Sequence, residues 1–163
     1  MACIVQLGIV CIVLVVQVIR GCPNGWETYD ESCYFVPDLR EDWTAASTTC
    51  GLYQAHLAEV VNANEDNFLR QLITKHHSGH GGNRYYWLGG TDMVVEGEWR
   101  WIKTGQSINY TNWAHGEPNN HHSHEDCLTA HLTSESHFHW VDRQCTYKCY
   151  FVCKISAHWI QLG

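Results

Sequence analysis

The run "YWLGGTDMVVEGEWRW", residues 86–101, decides how the chain folds. With the two residues before it, it opens on the aromatic-rich segment "RYYWLGG", which ends on a pair of glycines. It closes on "EWRWI", in which Trp99 and Trp101 alternate with polar neighbours. Aromatic runs bounded by glycine, and alternation with a period of two, are strand signals, so short β-segments are predicted here. Downstream, "CLTAHL", "FHWVD" and "YFVCK" read the same way. Between "EWRWI" and "CLTAHL" lie about 25 residues without regular pattern, a length typical of functional or disordered loops and not of simple connections.

Upstream of that run, "GWETYDESCYFV" reads as two short strands about a polar turn, with Trp26, Tyr29, Tyr34 and Val36 available to a core. "REDWTAASTTCGLYQAHLAEV" places Trp43, Ala46 and Cys50 at helical spacing and then becomes strand-like at "AHLAEV". A second helix is signalled by "NANEDNFLRQLITKHH". There Asn62 and Glu65 have capping-box spacing, and Phe68, Leu69, Leu72 and Ile73 form an apolar stripe. "KHHSGHGGN" breaks that helix with three glycines. Strands at both ends with helices between them predict one α+β domain with no internal repeat, and 163 residues suffice for a real core.

Ten Lys and Arg against 17 Asp and Glu give a formal net charge of -7, which disfavours nucleic acid and anionic membrane as partners and favours cations and neutral ligands. Residues 1–21, "MACIVQLGIVCIVLVVQVIRG", are an apolar run starting at the first methionine, and we read them as a secretory signal. The expected product is an extracellular mature chain without membrane insertion, its domain over residues 22–154 and a short tail over 155–163. Beyond the signal stand Cys22, Cys33, Cys50, Cys127, Cys145, Cys149 and Cys153. An exported chain with this density of cysteine implies a disulfide framework with one thiol left over, but spacing alone leaves about 105 pairings open.

The long loop contains "HGEPNNHHSHEDC", residues 115–127, rich in oxygen and nitrogen donors around one proline. Calcium is a hard ion that takes 6–8 oxygen ligands in flexible geometry, so clustered carboxylates and carboxamides suit it and imidazole does not. A cis peptide before Pro118 would turn the side chains of Glu117 and Asn119 toward one point.

From Cys22 to Lys154 the chain resembles a C-type lectin domain. The resemblance rests on "WLGG" at 87–90, "EGEWRW" at 96–101, "NYTNW" at 109–113, "GEPN" at 116–119, "EDC" at 125–127 and the closing pair Cys145 and Cys153. Within the family, the run "YWLGGTDMVVEGEWRW…NYTNW" is similar to molluscan shell-matrix lectins. The resemblance implies a fold of two helices on two small antiparallel sheets with a long binding loop. It also implies bridges Cys22–Cys33, Cys50–Cys153 and Cys127–Cys145. Cys149 has no counterpart, which leaves an intermolecular bond making a homodimer, or a buried thiol.

A principal Ca2+ site of Glu117, Asn119, Glu125 and Asp142 is implied in the same way, as is an auxiliary one of Asp92, Glu96 and Asn120 that shares Glu125. Sugar would bind the principal ion directly, with Glu117, Asn119 and Glu125 also meeting its hydroxyls. In the family the order Glu-Pro-Asn accompanies mannose, glucose, fucose or N-acetylglucosamine in preference to galactose. Two departures bear on affinity: Val141 stands where the family has asparagine, and Asn120 stands where aspartate is usual. Losing one charge-assisted contact costs roughly 1.5–3 kcal/mol, or one to two decades of affinity.

The remaining features are weighed against blander roles. His76, His77, His80, His115, His121, His122 and His124 suit zinc or a proton switch in principle, but no "HExxH" occurs and hydrated loop residues are the simpler reading. Trp43, Trp87, Trp99, Trp101, Trp113 and Trp140 read as core aromatics. Asn109 opens "NYT", an acceptor pattern for glycosylation inside a family motif. An enzyme is not expected, since a zinc hydrolase needs a nitrogen-rich open site with a base. The expected function is a secreted, calcium-dependent lectin that recognises glycans of microbial or self surfaces in innate immunity. The competing reading is a shell-matrix protein that meets calcium carbonate and binds sugar weakly.

Overall fold

The computed structural model describes residues 16–76, 84–134 and 137–162. His77 and His80 lie outside the described residues, as does most of the "KHHSGHGGN" segment. Two helices and eleven strands are present among those described. β1 (Val16–Arg20) pairs antiparallel with β11 (His158–Leu162). β1 falls within the segment read as a secretory signal, so its removal would leave β11 without this partner.

The predicted hairpin forms as β2 (Glu27–Tyr29) and β3 (Ser32–Phe35). It belongs to a four-stranded sheet of order β2-β3-β10-β4, with β4 at His56–Leu57 and β10 at Cys153–Ser156. The second sheet runs β6-β5-β7-β8, from β5 (Arg84–Thr91), β6 (Arg100–Trp101), β7 (Cys127–Leu132) and β8 (Phe138–Arg143). β9 (Tyr150–Phe151) lies parallel against β5. Both strand-like stretches "AHLAEV" and "EWRWI" contract to two ladder residues each. The backbone of Trp101 turns away to bond Gln106 and Gly105, and Ala58 bonds Val152 instead of continuing a ladder.

α1 (Trp43–Leu52) is capped by Asp42, whose carboxylate accepts from Ala45 N at 2.9 Å. α2 (Ala63–His76) starts at Asn62, whose Oδ1 accepts from Glu65 N at 3.0 Å. The return bond of a capping box is displaced by one residue: Glu65 Oε2 accepts from Val61 N at 2.9 Å. The same carboxylate is buried, at 3% exposure, and its other oxygen takes the Tyr34 hydroxyl and Lys154 Nζ. A buried carboxylate needs a cation and hydrogen bonds, and those demands draw Glu65 inward.

The stripe on α2 buries Leu69, Leu72 and Ile73 against Tyr86, Leu88, Leu128 and Trp140. A smaller core under α1 gathers Trp43, Leu57, Trp87 and Phe151 around Cys50–Cys153. Cys22–Cys33 and Cys127–Cys145 are the other disulfides among the described residues, and all three pairings are those the family resemblance implied. Closing loops of 11, 18 and 103 residues restricts the unfolded chain, with a typical gain of about 2–4 kcal/mol each. Cys149 is free and only 5% exposed. Burial pushes its thiol up to about 11, so little thiolate forms at neutral pH, and an intermolecular bond would need this strand edge to open.

The glycine pair of "WLGG" has a specific packing purpose. A Cβ on Gly89 would meet the Leu57 carbonyl oxygen at 2.9 Å, and one on Gly90 would meet Leu128 Cδ2 at 2.6 Å. β5 thus passes close to β4 on one face and accepts the side chains of β7 and the long loop on the other. The loop itself is held down in order. Trp99 O accepts from Ile108 N at 3.0 Å, Asp66 Oδ2 accepts from Asn112 Nδ2 at 2.8 Å, and Trp140 N donates to Asn112 O at 2.7 Å. Asp66 Oδ1 also accepts from Trp140 Nε1 at 2.8 Å, which joins α2, β8 and the loop in one buried group. Asp66→Ala strands these donors and is expected to cost about 1–3 kcal/mol. A urea melt should show a lower midpoint at unchanged slope, while an unchanged midpoint would remove Asp66 as the anchor of the loop.

Candidate functional site

Beyond Trp113, which bridges Trp140 in parallel, the loop turns out from the core and folds back over the end of β8. Asp142, 3% exposed, sits there and receives three backbone bonds. Asn119 N donates to both carboxylate oxygens, at 3.1 and 3.0 Å, and Asn120 N donates at 2.6 Å. The Glu117–Pro118 peptide is cis. The Glu117 and Asn119 side chains meet, Asn119 Nδ2 donating to Glu117 Oε2 at 2.6 Å.

The next residues connect the two predicted oxygen clusters. Asn120 adopts a left-handed backbone, with φ of 44°, as asparagine tolerates. Its Nδ2 donates to Glu96 Oε2 at 2.5 Å, and its Oδ1 accepts from Glu125 N at 3.1 Å. Glu125 Oε2 accepts in turn from His121 N at 3.2 Å. Asp92 is 4% exposed; its Oδ2 accepts from Gly97 N at 2.9 Å, while its Oδ1 is buried without a hydrogen-bond partner. The structure therefore joins Glu117, Asn119, Asn120 and Asp142 directly, brings Glu96 and Glu125 in through Asn120, and sets Asp92 beside them.

Burial and neighbouring negative charge crowd the carboxylates of this cluster. Glu117 is pushed up to about 7, first by burial, then by its contact with the Asp142 carboxyl and by the charges of Asp142 and Glu125. Asp92 is raised as well, by burial first and then by Glu96 and Asp126. A divalent cation would relieve both effects and would supply the partner that Asp92 Oδ1 lacks. Among the described residues no three His, Cys, Asp or Glu side chains form a metal cluster by themselves, and the carboxamides of Asn119 and Asn120 stand beside the carboxylates as further oxygen donors. Each of them now turns its NH2 toward a carboxylate, and a half-turn of the amide exchanges that donor for an oxygen. The donor set thus has the hard, oxygen-only chemistry that suits calcium.

A shallow depression of about 380 Å3 opens beside the cluster, lined by Glu117, Asn119, Glu125, Val141, Asp142 and His131 among others. Val141 is 8% exposed, and its carbonyl is taken by the Thr129 hydroxyl at 3.0 Å. The wall formed by His131, Tyr85 and Arg143 was missed by sequence reasoning. Tyr85 pairs with His131 across β5 and β7, and their rings stack 4.3 Å apart. Cross-strand register supplies that signal, which period-two alternation within a single strand does not contain. Of the loop's histidines, His121 lines this depression beside Glu125. His121 and His122 stack on each other with ring centroids 4.0 Å apart.

This fold and this loop define a class. Residues 39–155 match the Lectin C-type domain, and the chain belongs to that carbohydrate-binding family, whose members bind sugar and do not turn it over. It is 34% identical over 134 residues to perlucin of Haliotis laevigata, covering 82% of this chain and 83% of that protein. Over 125 residues it is 33% identical to a perlucin-like protein of Mytilus galloprovincialis, covering 77% and 76%. Among solved structures it resembles the carbohydrate-recognition domain of the mouse scavenger receptor C-type lectin, with a TM-score of 0.67 and 31% identity over 83% of this chain and 96% of that one.

The crowding of Glu117 yields a prediction for the metal-free protein. Its folded pKa, about 7, lies above the ordinary 4.5, so its contribution to stability is full below pH 4.5 and is lost as pH rises through 7. Carboxyl titration followed by NMR in chelator should show one glutamate titrating near neutrality, and Asp142→Asn should move it down. If all glutamates titrate near 4.5, the carboxylates are not crowded.

Proposed function

We propose that this chain is a secreted, calcium-dependent lectin of mannose-type preference that recognises glycans on microbial or self surfaces. The observation that carries the reading is the convergence of Glu117 and Asn119 on the Asp142-anchored loop, with Glu125 and Glu96 tied in through Asn120. Glu117, Asn119, Glu125 and Asp142 would hold the principal ion, and Asp92, Glu96 and Asn120 an auxiliary one. Bound there, calcium supplies a centre whose remaining coordination positions take two neighbouring hydroxyls of a sugar.

The side chains of this protein do the discriminating. Glu117 and Glu125 accept a hydroxyl hydrogen and Asn119 donates, so the order of acceptor and donor along the loop selects which hydroxyl fits at each position. The tie from Asp142 to two backbone N–H groups holds that order in place before sugar arrives, which lowers the ordering cost of binding. Val141 leaves one donor and one ligand missing, and the sugar affinity is correspondingly low.

Residues 1–21 are read as the secretory signal, residues 22–154 as the recognition domain and 155–163 as a tail. The described residues contain no helix long and apolar enough to cross a membrane. With Cys149 closed by burial, we favour a chain that does not need a covalent partner. The shell-matrix reading is favoured by one feature, Val141, which weakens the sugar side of the site while leaving its acidity.

Retention on mannose resin should require calcium, exceed that on galactose resin, and be reversed by free mannose or chelator. Retention on calcium carbonate that is indifferent to sugar would favour the matrix reading. In calorimetry, Val141→Asn should tighten calcium binding and raise mannose affinity by roughly ten- to a hundredfold. No change would mean that residue 141 does not face the ion.

A further inference from the structure

On the far side of Tyr85 and Arg143 from the oxygen cluster lies a second cavity, of about 280 Å3. Arg40, Arg84, Arg143 and Lys148 line it together with Tyr85 and Tyr147. Four of the ten lysines and arginines of a chain with net charge -7 thus gather around one hollow. They come from distant parts of the chain: the segment before α1, the start of β5, and the end of β8 with the turn after it. Like charges brought together repel, so a concentration of this kind is stabilised by an anion.

The individual groups are arranged to receive one. The Arg143 guanidinium carbon lies over the Tyr85 ring, 3.8 Å from its centre, and over that of Tyr147 at 4.9 Å. Its Nε is buried and has no hydrogen-bond partner. Arg40 lies over the Tyr150 ring at 4.5 Å, and among the described residues neither Arg40 nor Arg143 pairs with a carboxylate. Lys148 is occupied by Glu41 and Asp42, at 2.6 and 3.0 Å, which fixes its position at the rim. A guanidinium group carries paired N–H donors that match the oxygen pair of a carboxylate or sulfate.

We propose that this cavity is an anion subsite for an acidic glycan, taking the sulfate ester or carboxylate of one sugar residue. Tyr147, the exposed ring among the tyrosines around the cations, suits a sugar, because a pyranose face packs on an aromatic ring while its charged substituent reaches the guanidinium groups. Tyr85 and Arg143 line both this cavity and the depression at Glu117 and Asn119, so the two are neighbours across a shared wall. A single oligosaccharide can place a neutral residue at the oxygen cluster and an acidic one here. The subsite does not need the calcium reading, since none of its groups is a carboxylate.

The test is calorimetry on the full chain, in calcium and again in chelator. The probes are a sulfated disaccharide, a glucuronate-containing disaccharide, their neutral parent and a short polyaspartate peptide. One or both acidic sugars should bind on the order of tenfold more tightly than the neutral parent, in chelator as well as in calcium, and more weakly as salt rises. Which of them does so identifies the group recognised. Arg40→Gln should remove on the order of tenfold of that affinity while leaving calcium-dependent retention on neutral sugar intact. Arg143→Lys, which keeps the charge and loses the fork, should also weaken it. Equal binding of acidic and neutral sugars, unchanged affinity in both variants, or preference for the peptide would overturn the proposal. Loss of neutral-sugar retention with acidic-sugar binding preserved would count against the calcium reading alone.

Discussion

The carboxylate of Asp142 is the point on which the binding loop depends. It is buried at the end of β8 and accepts the backbone N–H groups of Asn119 and Asn120. Two consecutive amides aimed at one carboxylate fix the backbone just after Pro118, and the side chains on either side of that proline are then brought together. A loop of this length would otherwise pay heavily in entropy to present four oxygen-bearing side chains at one place. Deeper in the domain, Asp66 performs the equivalent task for Asn112 and Trp140, so the loop is anchored by one buried acid at its root and another at its tip.

The amides near the tip show how the site stays ordered while crowded with negative charge. Asn119 and Asn120 turn their NH2 groups toward Glu117 and Glu96, as partial substitutes for a cation. Glu117 holds a proton to about neutral pH, and Asp92 keeps one oxygen buried without a partner. These are costs in a structure optimised only for stability, and they concentrate where a ligand would remove them.

Much of this was legible from local pattern. The helices follow from the spacing of Trp43, Ala46 and Cys50 and from the stripe Leu69, Leu72 and Ile73, and the Cys127–Leu132 strand matches its sequence segment. What escaped were features set by distant contacts. "EWRWI" yields two strand residues because the backbone of Trp101 bonds Gln106 and Gly105, and "YFVCK" divides at Val152, which bonds Trp87 on one side and Ala58 on the other. Glu65 shifts its capping bond to Val61 N while Lys154, 89 residues away, and Tyr34 hold its other oxygen. The basic hollow was illegible for the same reason, since Arg40, Arg84 and Arg143 become neighbours only once the strands are in register. Among the site residues, position around Pro118 singled out Glu117 and Asn119, but Glu125 and Asp142 gained their meaning from the family resemblance.

The most direct measurement is a crystal structure of the protein grown with calcium and a mannose disaccharide. The account predicts an ion 2.3–2.6 Å from oxygens of Glu117, Asn119, Glu125 and Asp142, with two neighbouring sugar hydroxyls completing its shell. Glu117 and Asn119 side chains pointing apart, with only water between them at saturating calcium, would contradict it.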